Sequence, residues 1–170
     1  TMNDITAVDM DASNIVTAML SGGVDACATW SPNSLKILEE GKDLTKLCDN
    51  TTFSDKTVSL ASWIVTPSYA EANADKILRF TKALFKAMDY AADDNYEEVA
   101  GYVAAQTKTD EASVYDQRGD ADWLTGEEVA RGAADGTVEK YYEIQQQNFI
   151  AAGAVEGEVP VSDYVMLDNM

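Results

Sequence analysis

Residues 5–30 read ITAVDMDASNIVTAMLSGGVDACATW, and the alternation inside this stretch decides the expected fold. Ile5 to Val8 is a short apolar run of strand type. Asp9-Met10-Asp11 follows as a loop, with Asp11 placed to cap a helix. Ile15, Val16, Met19 and Leu20 fall on one face of that helix, and Gly22-Gly23 stops it. Val24 to Trp30 is again strand-like. Ser31-Pro32 then supplies a cap followed by proline at the first helical position. Leu35 and Leu38 form the apolar stripe of this second helix, and Gly41 ends it. Leu44 to Cys48 reads as a third strand and Val58 to Val65 as a fourth. Strands alternating with short helices predict an α/β fold, with residues 5–9, 25–30 and 44–48 as parallel strands of one sheet.

The pattern changes at Thr66-Pro67, which divides the chain into an α/β portion (1–66) and a helical portion (67–170). Ile77, Thr81, Leu84, Phe85 and Met88 make a 3.6-period stripe on a long helix. Tyr96, Val99, Ala100 and Val103 repeat it on a shorter one. A Gly- and Asp-rich stretch from Asp116 to Gly126 interrupts the helices. Val138, Tyr141, Tyr142, Gln145 and Phe149 mark a last helix that Gly153 terminates, and Val159 to Leu167 reads as extended. The later helices have apolar faces but no strands of their own to cover. The expected whole is therefore a larger α/β protein, of which this chain is the carboxyl-terminal half.

Charge narrows the function. The 170 residues hold thirty acidic and twelve basic side chains, a net charge of −18. Phosphate backbones and anionic lipid surfaces need Lys and Arg to bind, so neither is an expected partner. No apolar run approaches the ~20 residues that span a bilayer, and no basic-then-apolar leader is present. There is no histidine, which removes most general-base, nucleophile-activating and zinc-site chemistry. Cys27 and Cys48 lack metal-site spacing and read as buried thiols or a single bridge.

The remaining motifs differ in weight. Asp116, Asp120, Asp122 and Glu127 fall within twelve residues, but Arg118 takes the third position of a calcium loop and Ala121 its glycine position. A solvated acidic loop is the expectation, with no metal. Asn50-Thr51-Thr52 matches a glycosylation sequon, a short and unspecific pattern. No glycine fingerprint for nucleotides occurs. The two loops beyond the first strands carry more, because ligands of open α/β sheets settle there, against helix N-termini. One is Asp9-Met10-Asp11. The other, Trp30-Ser31-Pro32-Asn33, offers an aromatic wall, a hydroxyl, an amide and backbone N–H groups, a set suited to a small polar or anionic solute. Equally, Trp30 could be a core aromatic and Ser31 a plain helix cap.

The run Ala-Met-Leu-Ser-Gly-Gly-Val-Asp-Ala at 18–26, followed by Trp30-Ser31-Pro32, resembles a segment of the nitrate/sulfonate/taurine-type solute-binding proteins of ABC importers. Those proteins are related to the thiamine-pyrimidine-precursor group and share the type II periplasmic-binding-protein fold. Met19 replaces the usual leucine of that segment. Val58 to Val65 resembles the family's return strand, and Tyr69 to Phe80 its helix entry, with Ala74 where proline is usual. The resemblance implies a protein that binds a solute and does no chemistry. It implies Asp9, Met10, Asp11, Trp30, Ser31 and Asn33 as the ligand-binding wall, with no catalytic residue, metal or cofactor. It also implies an ABC permease as membrane partner and a periplasmic or lipid-anchored surface location. An enzyme branch of the family uses a cysteine cluster and a histidine, which this chain lacks. The competing readings are a cytoplasmic ligand-sensing domain of a transcription regulator and an enzyme working through carboxylates such as Asp9 and Asp11. Finally, the uncovered stripe of Ile77, Leu84, Phe85 and Met88 predicts that the chain alone dimerises or exchanges segments. Light scattering checks this, and a compact monomer would refute it.

Overall fold

The computed structural model describes residues 4–49, 51–53 and 56–170, so Asn50 of the sequon lies outside the described residues. The chain groups into two compact units, Thr1–Cys48 and Asp49–Met170. Among the described residues α1 (Ala12–Leu20) and α2 (Asn33–Glu40) order the first unit. The second holds α3 (Pro67–Ala72), α4 (Ala74–Ala92), α5 (Tyr96–Thr107), α6 (Glu111–Asp116), α7 (Gly126–Asp135) and α8 (Thr137–Ala151).

The expected parallel sheet is not formed. Among the described residues there is no strand, and the stretches 5–9, 25–30, 44–48 and 58–65 are irregular. This overturns the α/β reading and, with it, the type II periplasmic-binding-protein fold for this chain. The physical reason is pairing. An apolar run becomes a strand only when a neighbour completes its hydrogen-bond ladder, and a lone strand or hairpin is marginal in water. Here Leu47 is 82% exposed and Ile64 94% exposed, so these runs lack apolar cover as well as a ladder. The same lack of a sheet leaves Cys27 and Cys48 as exposed free thiols, not the buried or bridged pair expected.

In the first unit the helices follow the expected signals closely. Asp11 occupies the N-cap of α1 with extended backbone, although its carboxylate makes no capping bond. Ile15, Val16, Met19 and Leu20 are all half-buried. Gly22, at φ +72°, closes α1: its N–H and that of Gly23 return to the carbonyls of Met19 and Ala18. That paired closure needs a left-handed residue, which glycine adopts without steric cost. The second helix starts one residue later than expected. Pro32 is the N-cap and α2 begins at Asn33, after a cis Ser31–Pro32 peptide. Within α2, Ile37 is buried and Leu38 exposed, so the stripe expected of Leu35 and Leu38 is only partly covered.

The second unit is built around α4. The expected stripe of Ile77, Thr81, Leu84, Phe85 and Met88 is half-buried along it. Thr66 caps α3 through its hydroxyl, with Pro67 in the first turn, and Asn73 separates α3 from α4. Helix α7 crosses α4 where Gly126 lies against Phe85: a Cβ there would sit 2.6 Å from the Phe85 Cα. Asp89 of α4 accepts the Glu127 N–H at 3.0 Å, filling an open donor at the start of α7. The densest packing joins α5 to α6. Ala100, Ala104 and Val114 form its centre, flanked by Tyr96 and Tyr115, whose rings meet edge to face at 5.8 Å. Ala104 thus takes the buried place expected of Val103.

Helices α6 and α7 lie in the portion expected to be helical, but the sequence reading did not single them out. Asp110 caps the first through the Ser113 N–H. Thr125 and Glu128 form a full capping box at the start of the second. The tail is not extended either. It forms single 3₁₀ turns at Val161–Asp163 and Leu167–Asn169, with Val161 and Val165 buried. Gln146 of α8 grips it with both ends of one amide, accepting from the Val159 N–H at 2.6 Å and donating to the Val159 carbonyl at 2.9 Å. Among the described residues no helix is long and apolar enough to cross a membrane.

Candidate functional site

The wall residues all belong to the first unit, where the packing of α1 on α2 brings two helix starts together. The link is Asn33. Its side-chain amide donates to the Ala12 carbonyl at 3.2 Å, tying the first residue of α2 to the first residue of α1. Asp11 precedes Ala12 directly, so the tie joins the Asp9–Asp11 loop to the Trp30–Asn33 turn. Ser31 shares a 3.1 Å hydrogen bond with Ser34 in the first turn of α2. The Ser31 hydroxyl thus stabilises its own turn but is not the helix cap expected, since Pro32 holds that position without a side-chain capping bond, and Ser31 stays half-buried.

Trp30 is 66% exposed, which removes the reading of it as a core aromatic of this chain. Asp9 and Asp11 are exposed and Met10 is half-buried. Among the described residues no side-chain hydrogen bond or ring contact joins Trp30, Asp9 or Met10 to the other wall residues. The structure therefore assembles Asn33, Ser31 and the start of α1, and leaves the indole and the two carboxylates open to solvent. One residue before Trp30, the Thr29 hydroxyl oxygen is shielded from solvent with no hydrogen-bond partner. An unsatisfied hydroxyl of this kind costs about 1–3 kcal/mol. Sequence reasoning passed over Thr29, since nothing in its neighbours distinguishes it.

What this arrangement offers chemically is contact and hydrogen bonding: an aromatic face, an amide, a hydroxyl and the N–H groups of a helix start. Two open depressions lie elsewhere. One of about 370 Å³ is lined by Met19, Leu20 and residues 40–44. Another, of about 400 Å³ and lined by Glu97, Ala100, Glu111 and Tyr115, belongs to the second unit. The wall residues line neither.

A mutually perturbed set of titrating groups also lies in the second unit. Glu98 of α5 accepts phenol O–H bonds from Tyr102, one turn on, and from Tyr90 at the end of α4. These bonds, that of Tyr102 foremost, hold the Glu98 carboxyl below its ordinary value. Both phenols are raised in turn, chiefly by the same bonds. A depressed carboxylate adds stability above its unfolded-state pKa and loses it as pH falls through the folded value. The raised phenols act the other way, losing their contribution as pH climbs past the ordinary tyrosine range. Glu98→Gln is therefore expected to lower the melting temperature near neutrality. That deficit should shrink as the medium is acidified below the ordinary carboxylate range. Parallel melting curves for both proteins at every pH would refute the linkage.

The comparison with known proteins gives the class. The chain belongs to the NMT1/THI5-like family, whose sequence profile matches residues 1–98 and so includes every wall residue. This places it in the substrate-binding superfamily. Relatives in Brucella abortus, Brucella suis and Brucella melitensis, named as candidate binding proteins, are each 23% identical over 167 residues. The match covers 98% of this chain and 52% of each relative, so the chain spans about half their length. No solved structure matches the chain significantly.

Proposed function

We propose that this chain contributes to an extracytoplasmic solute-binding component of an ABC importer, presenting a small polar or anionic solute to a membrane permease. The solute class is nitrate-, sulfonate- or taurine-like, or a pyrimidine precursor. The observation that carries this reading is the family match over residues 1–98. It coincides with a stretch where the amide at one helix start is tied to a second helix start by a defined bond, with an exposed aromatic three residues before it. In this reading Trp30 supplies the apolar contact. Asn33 and the N–H groups of α2 give orientation, Ser31 fixes the turn, and Asp9, Met10 and Asp11 border the site. The partial charge at the start of α2 favours a bound anion by about 0.3–1 kcal/mol, which works against the acidic surroundings.

A thermal-shift and calorimetric screen against nitrate, sulfonates, amino acids and pyrimidines identifies the solute. With that solute, Trp30→Ala is expected to weaken binding by more than about 1 kcal/mol, the loss of one large pocket contact. Ligand-free melting should hardly move, because the indole is mostly exposed. A large loss of stability with unchanged affinity would overturn the assignment of Trp30 to the wall.

A further inference from the structure

We draw no further inference here: the strongest candidate, the exposed and uncharged apolar run of residues 57–66 leading into α3, is an unpartnered surface, and nothing in the structure shows what covers it.

Discussion

Gly126→Ala is expected to destabilise the second unit by about 3 kcal/mol, at the upper end of the cost of overpacking. The new Cβ would lie 2.5 and 2.6 Å from the Cβ and Cα of Phe85, and would also press on its carbonyl oxygen. Carbon atoms in contact sit about 3.5–4.0 Å apart, so α4 and α7 would have to separate by about an ångström. None of these atoms can rotate away, since all belong to the main chain of α4 or its first branch. The separation would also stretch the bond from the Glu127 N–H to Asp89. For a chain of this size the expected fall in melting temperature is about 10 °C. Gly101→Ala serves as control. Its Cβ would meet only the Glu111 carboxylate, at 3.5–3.6 Å, and alanine inside a helix is favoured over glycine by about 1 kcal/mol. Urea midpoints should move in opposite directions for the two variants. A Gly126 variant as stable as the parent would refute the close approach of the two helices.

Ala100→Leu is the second large effect. Ala100 is 1% exposed at the centre of the α5–α6 contact. The small side chains of Ala100 and Ala104 let α6 lie close enough for Val114 to be buried. Leucine adds three carbons to this contact, which the depression beside Ala100 relieves only in part, so a loss of about 1–3 kcal/mol is expected. The Tyr96–Tyr115 edge-to-face contact flanks the same core and should be disturbed with it. The tyrosine signal in near-ultraviolet circular dichroism reads this directly. Ala105→Leu, on the exposed side of the same helix, should change stability by no more than about 0.5 kcal/mol. Equal losses in the two variants would mean that α6 does not pack on this face.

These two contacts also show where sequence reading stops. The stripe of α4 was legible because a 3.6-residue period sustained from Ile77 to Met88 fits a helix and no strand. Asp11 and Gly22 marked helix ends correctly because capping depends on residues only a few places apart. The sheet failed for the opposite reason. Apolar runs such as Val58 to Val65 state a preference for cover, while a strand also needs a partner from elsewhere in the chain. Helix α6 is six residues long, too short for periodicity to show. Helix α7 did leave a readable sign, the Thr125-x-x-Glu128 capping box, which the glycine- and aspartate-rich stretch before it obscured. At the candidate site, Trp30, Ser31 and Asn33 were legible as residue types at a helix start. The partner of Asn33, a carbonyl twenty-one residues away, belongs to tertiary packing and left no local mark.

The double hydrogen bond between Gln146 and Val159 sets how the tail exchanges its amide hydrogens with solvent. An amide held in such a bond exchanges only when the contact opens. Gln146→Ala removes both halves of the grip and leaves α8 its own backbone bonds. The Val159 amide should then take up deuterium faster, while the amides inside α8 keep their protection.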